Sequence, residues 1–74
     1  MGRSLEWYKA QVEFQVMDTI ANQDHPDWQA DYAIIAEHIS RGSLEKFIVE
    51  TAKQWKKNDP SGDRDFEHCL PGDL

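Results

Sequence analysis

The chain has few of the residues that would support disulfides, membrane spans or secretion. It contains one cysteine, Cys69, among 74 residues, so an internal disulfide cannot form and a reducing, cytoplasmic location is expected. It contains no run of about 18 apolar residues, so no membrane-spanning helix is expected. The first ten residues, "MGRSLEWYKA", lack the apolar centre of a signal peptide, so secretion by that route is not expected.

Basic residues are missing from a long part of the chain. Residues 10–40 contain neither Lys nor Arg but six acidic residues, whereas residues 41–57 have five basic residues against two acidic ones. Residues 58–74 are acidic again, with five acids against one arginine. The whole chain carries a net charge of -6 at pH 7, and this order of charges bears on partners rather than on fold.

The length predicts one small domain. A chain of 74 residues buries little apolar surface and lies near the lower limit of independent folding. Its mean hydropathy of -0.76 is polar, yet three Trp, three Phe and two Tyr supply bulky core residues. Complete disorder is therefore not expected, because disordered chains are usually poor in aromatic residues.

The first segment has helical periodicity. Ser4 can cap a helix that begins at Leu5. Apolar residues then fall on two adjacent stripes, which together predict one wide buried face. The first stripe is Leu5, Tyr8, Val12 and Val16, and the second is Trp7, Ala10, Phe14, Met17 and Ala21. The run "AQVEFQV" also alternates as a strand does, but no second strand-like run exists to pair with it, so a helix to about Asn22 is favoured.

The stretch "NQDHPDWQADY" is typical of a boundary between two helices. Pro26 disfavours helix at His25 and suits the first turn of a new helix, with Asp24 or His25 as its cap. Gly42 is predicted to end this second helix in a left-handed conformation, and Ser43 to cap the third. The predicted buried face of the second helix is Trp28, Tyr32, Ile35 and Ile39.

The third helix is predicted to run to about Lys57, where lysines complement the negative end of the helix dipole. Its apolar stripe is Leu44, Phe47, Ile48, Thr51, Ala52 and Trp55. The predicted fold is all-α. Residues 1–57 form a small bundle of three helices, or four if the C-terminal part adds one, and residues 58–74 form a flexible acidic tail rich in Pro and Gly.

Four short patterns between residues 5 and 57 resemble those of the small YozE-type SAM-like helical domains. They are "EWYKAQVE", "DTIANQDHPDW", "DYAIIAEHIS" and the closing "AKQW". This sequence lacks part of that family's aromatic-rich centre and its usual closing segment. The resemblance implies a compact all-helical fold and gives no catalytic residues to carry over.

The sequence carries no arrangement typical of a metal site or an enzyme. The stretch "NQDHPDWQADY" has one histidine without the paired His/Cys spacing of zinc sites, and it does not match the calcium-binding loop. Its potential ligands are Asp24, His25, Asp27 and Asp31. His68 is beside Cys69, but adjacent residues rarely hold the geometry that activates a thiolate. No metal, cofactor or enzymatic activity is expected, and His38 is predicted to be structural.

The charge pattern favours a non-enzymatic module that binds another protein, either a basic one or one that handles nucleic acid. The predicted interface consists of the acids of the first two helices, Glu13, Asp18, Asp24, Asp27, Asp31 and Glu37. Trp7 or Trp28 would be its aromatic anchor if exposed. Such carboxylates can imitate a phosphate backbone, as in small phage and mobile-element inhibitors.

Two alternatives remain at this point. The second and third helices can form a helix-turn-helix that binds DNA or regulates transcription, through Lys46, Lys53, Lys56 and Lys57. The net charge of -6 opposes this, because DNA affinity depends on basic residues that neutralise phosphates. The other alternative is a structural or homo-oligomeric helical domain. The acidic tail is also predicted to fold back over the lysines at the end of the third helix.

Overall fold

The structure is a computed structural model that describes residues 3–62. In this range the chain forms three α-helices and no strand. Helix α1 is Leu5–Ala21, α2 is Gln29–Arg41 and α3 is Leu44–Lys57, and a short 3₁₀ helix, Pro26–Trp28, leads into α2. This confirms the predicted all-α three-helix bundle, and the first segment is a helix rather than a strand.

Local capping explains where α1 and the 3₁₀ helix begin. The Ser4 hydroxyl accepts a hydrogen bond from the backbone N–H of Trp7 at 3.2 Å, as predicted. The Nδ1 atom of His25 accepts one from the backbone N–H of Asp27, also at 3.2 Å. His25 rather than Asp24 is therefore the cap of the 3₁₀ helix, which confirms that the stretch "NQDHPDWQADY" contains a helix start.

The turn between α2 and α3 is fixed by a glycine and a histidine. Gly42 has a φ of 70°, which confirms the predicted left-handed end of α2 and avoids the steric cost that a Cβ would bring. The predicted capping role of Ser43 was wrong, because its side chain makes no capping bond. Its hydroxyl lies 2.9 Å from Nδ1 of His38. The His38 ring also stacks on Phe47, with the centroids 4.5 Å apart, so this histidine links α2 to α3.

The core lies mainly between α1 and α3, which have the most extensive packing of any helix pair in the described range. Trp55 at the end of α3 and Tyr8 at the start of α1 are fully buried. The buried apolar residues are Tyr8, Val12, Val16, Ile35, Phe47, Ala52 and Trp55. Helix α2 contributes Ile35 alone to this set, so α1 and α3 form the frame of the domain.

The prediction that both apolar stripes of α1 form one buried face was wrong. The first stripe packs towards α3, but Phe14 is 61% exposed and Met17 is 66% exposed. Ala10 and Ala21 are exposed as well, and Trp7 is half-buried. The two stripes together wrap too far around the helix for a three-helix bundle to cover. Of the second stripe, only Trp7 packs against the core.

The predicted face of α2 is also less buried than expected. Ile35 is buried, whereas Trp28 and Tyr32 are half-buried and Ile39 is 51% exposed. Helix α2 packs less extensively than α1 and α3 pack on each other, and Ile35 is its one buried residue.

The chain does not leave the body of the domain at Lys57. Asp59 is only 3% exposed, although it falls in the segment predicted to be a flexible tail. Its carboxylate accepts hydrogen bonds from the Tyr8 hydroxyl at 2.7 Å and from the backbone N–H of Gly62 at 3.1 Å. The Arg3 guanidinium lies 3.7 Å away. Asp59 thus joins the end of α3 to the start of α1.

The predicted docking of the acidic tail on the third helix concerns mainly residues 63–74, which lie outside the described residues. The one tail acid within the described range, Asp59, lies 3.7 Å from Arg3.

Candidate functional site

The exposed apolar residues of α1 form a continuous row along the helix. Ala10, Phe14, Met17 and Ala21 follow one another at spacings of four, three and four residues. This is the spacing of the a and d positions of a coiled-coil heptad, which place side chains on one seam. We call these four residues the outer stripe. All four are exposed.

The outer stripe makes α1 apolar on two opposite sides. Tyr8, Val12 and Val16 are buried on one side, and Phe14 and Met17 are exposed on the other. A helix that is apolar all round is normally buried on every side. Single exposed apolar residues are common in soluble proteins, but a contiguous apolar patch usually marks an interaction surface.

A shallow hollow lies within the outer stripe. It is lined by Ala10, Phe14 and Met17, with Glu13 at its edge, and its volume is about 270 Å³. The small side chain of Ala10 leaves this space between its larger neighbours. Small-molecule sites usually span ~300–1,000 Å³, so the hollow suits one inserted side chain better than a free ligand.

Acidic residues border the outer stripe on both sides. At 100° per residue, Glu6 and Glu13 lie along one edge and Asp18 lies along the other. All three are exposed. These edges correspond to the g and e positions of the heptad, and none of those positions in α1 carries Lys or Arg. The surface therefore has an apolar centre and an acidic border.

The six acids predicted to form the interface do not converge on one point. Five are exposed, and Asp31 is half-buried. Burial raises the pKa of the Asp31 carboxyl above its ordinary value. Glu37 is engaged by Arg41 at 2.6 Å one turn along α2. The exposed members are Glu13, Asp18, Asp24, Asp27 and Glu37.

Metal binding at these acids has no geometric basis in the described structure. Within residues 3–62 there is no group of three or more His, Cys, Asp or Glu side chains placed to hold a metal ion. His25 and Asp27 approach each other at 3.8 Å, but both belong to the start of the 3₁₀ helix.

Neither tryptophan proposed as an anchor is exposed. Trp7 and Trp28 are both half-buried. The Arg3 guanidinium lies over the Trp7 ring at 3.9 Å, and Trp7 meets Tyr8 edge-on with the centroids 5.0 Å apart. The exposed large apolar side chains of α1 are instead Phe14 and Met17, which the helical periodicity predicted to be buried. The sequence feature that could have indicated this exposure is the number of apolar residues in α1, which exceeds what one helix face can hold.

The lysines of α3 are exposed and point away from the core. By helical spacing, Lys46, Lys53 and Lys57 fall on one outward side, and Lys56 lies on its flank. All four are exposed, and Lys53 lies 3.9 Å from Glu50. Because α1 and α3 face each other through their buried sides, the basic side of α3 and the outer stripe of α1 point in opposite directions.

No protein-family model, curated protein or solved structure matches this chain. The resemblance to YozE-type helical domains therefore stays a prediction that rests on the sequence pattern. None of the helices in residues 3–62 combines the length and the apolar character that crossing a membrane requires.

Proposed function

We propose that this chain is a non-enzymatic protein-interaction module that binds a partner protein through the outer stripe and the acids beside it. The observation that carries the proposal is the exposure of Phe14 and Met17 in one row on α1. Protein interfaces combine an apolar centre, in which aromatic residues and Met are enriched, with a polar border. The outer stripe and its acidic edges have this composition.

The energetics favour binding over folding as the reason for these two side chains. Complete burial of one Phe or Met side chain is worth ~1.5–3 kcal/mol, and in the free domain Phe14 and Met17 gain little of it because they are mostly exposed. A partner that covers both would recover that free energy, less the entropy lost on association.

The acidic border also defines the partner's charge. Exposed carboxylates steer a basic protein towards the surface and disfavour an acidic one. Mimicry of a phosphate backbone, as in inhibitors from phages or mobile elements, is the narrower form of this proposal. The apolar centre between Glu13 and Asp18 favours a partner that offers apolar side chains as well as basic ones.

DNA binding through α3 is the second candidate, and the outward position of Lys46, Lys53 and Lys57 supports it. The net charge of -6 weighs against it, since long-range repulsion from phosphates opposes the approach of the domain.

The test is affinity capture from a lysate of the source organism with intact protein, washed at low and high salt. Phe14→Ala/Met17→Ala is compared with Ile39→Ala, which removes another exposed apolar side chain from α2. We expect the α1 variant to retain its fold and to lose the captured protein at least tenfold, which corresponds to about 1.4 kcal/mol. The Ile39 variant should capture it normally.

Equal capture of the same protein by the wild type and the α1 variant would contradict the proposal. Recovery of nucleic acid that is lost when the lysines of α3 are replaced would favour the second candidate instead.

A further inference from the structure

The next inference rests on the proposed function and concerns the chemistry of the partner. We infer that the outer stripe pairs with an amphipathic helix of the partner protein whose apolar seam is bordered by Lys or Arg. Three features support this inference: the spacing of the stripe, the shape of its hollow and the sign of the charges along its edges.

The spacing identifies a helix as the complementary shape. The outer stripe follows the 3.5-residue repeat of a coiled-coil seam, which keeps side chains in register with a second helix lying alongside. Trp7 occupies the preceding position of the same repeat, but it is half-buried beneath the Arg3 guanidinium, so the open seam extends from Ala10 to Ala21. At a rise of 1.5 Å per residue this is roughly 17 Å of helix, or about one and a half heptads.

The hollow supplies the site for an inserted side chain. In helix pairs, an apolar side chain of one helix enters a space formed by residues of the other. Ala10, Phe14 and Met17 surround such a space of about 270 Å³, and Glu13 borders it. A large apolar residue of the partner can fill it, while a basic residue one turn away can reach the Glu13 carboxylate.

The charges beside the outer stripe determine which helix can bind to it. Glu6, Glu13 and Asp18 are the charged residues along the edges of the seam, so a second α1 would bring carboxylates against carboxylates. Residues 63–74 of this chain have four acids against one arginine and would meet the same repulsion. The basic side of α3 in a second copy of the chain would suit the acidic edges. It has no row of apolar residues to pack against the outer stripe. A basic amphipathic helix of another protein satisfies both the seam and its edges.

The experiment uses two synthetic helical peptides with the same Leu seam over roughly three heptads, one with Lys and the other with Glu at the flanking positions. Affinities for the intact protein are measured by calorimetry at physiological salt. We expect the Lys peptide to bind at least tenfold more tightly. We expect Phe14→Ala/Met17→Ala to weaken its binding at least tenfold.

A matched pair of charge-reversed variants separates the edges of the seam from the net charge of the protein. Glu6→Lys/Glu13→Lys/Asp18→Lys should prefer the Glu peptide. Glu37→Lys/Glu45→Lys/Glu50→Lys changes the net charge equally, at exposed positions of α2 and α3 rather than of α1, and should still prefer the Lys peptide. The inference would be overturned if both variants came to prefer the Glu peptide, or if the wild type bound the two peptides equally well.

Self-association gives a further contrary result. A mass that rises with protein concentration, and that falls to the monomer in Phe14→Ala/Met17→Ala, would show that a second copy occupies the stripe. If capture from lysate depends on Phe14 and Met17 but the peptides are not distinguished, the inference fails and the proposed function stands. If capture is independent of both residues, the proposed function fails.

Discussion

Replacement of Trp55 by alanine is expected to leave the domain largely unfolded at room temperature. Trp55 is completely buried in the core between α1 and α3. Removing a buried Phe or Trp side chain typically costs ~3–5 kcal/mol. Small domains lie towards the lower end of the ~5–15 kcal/mol range of folding stabilities, so this single loss is comparable to the whole free energy of unfolding.

Phe14→Ala is the matched control, because it removes an aromatic side chain that is 61% exposed. It should change the free energy of unfolding by no more than about 0.5 kcal/mol. Urea denaturation followed by far-ultraviolet circular dichroism measures both variants. Equal losses in the two proteins would show that the core and the outer stripe are assigned to the wrong sides of α1.

Removal of the Asp59 carboxylate is expected to have the second-largest effect. Asp59→Ala removes the carboxylate that accepts from the Tyr8 hydroxyl and that lies beside the Arg3 guanidinium. The Gly62 N–H loses one of its two acceptors and keeps the backbone carbonyl of residue 59. Hydrogen bonds to charged groups contribute ~1.5–3 kcal/mol each, and orphaned partners in the interior add to the loss. Arg3 is partly exposed, so water compensates part of its loss. We expect the free energy of unfolding to fall by about 2–4 kcal/mol.

Tyr8→Phe isolates one of these bonds and adds a dependence on pH. Burial, and then the hydrogen bond to Asp59, raise the pKa of Tyr8 above its ordinary value of 10.0. The folded state therefore keeps the phenol neutral at a pH where the unfolded chain ionises. The contribution of Tyr8 to the free energy of unfolding is fully present below pH 10. It is lost as the pH rises from about 10 through the pKa of Tyr8 in the folded state. Tyr8→Phe should start less stable and lose less over that range, and parallel pH curves for the two proteins would contradict this account.

The sequence predicted the helix boundaries because these depend on nearby residues. Ser4 caps α1 within its own first turn, and Pro26 and Gly42 act through their own backbone angles. These effects need no knowledge of the rest of the fold. The capping role of Ser43 failed because its hydroxyl is engaged by His38, five residues earlier on α2.

The candidate site was harder to predict because it depends on the arrangement of the helices. Periodicity shows that α1 is apolar on two stripes, but only the packing of α3 decides which stripe is buried. Asp59 shows the same limit, since its partner Tyr8 is 51 residues away in sequence. An acid within a Pro- and Gly-rich stretch is typical of a solvated tail, and nothing local indicates that it is buried.

Site-specific photocrosslinking from the outer stripe tests the central claim most directly. A benzophenone amino acid replaces Phe14 in one protein and Lys53, on the outward side of α3, in another, and both are irradiated in a lysate of the source organism. We expect a discrete protein adduct from position 14 and none from position 53. An adduct from position 53 without one from position 14 would contradict the assignment of the outer stripe as the partner-binding surface.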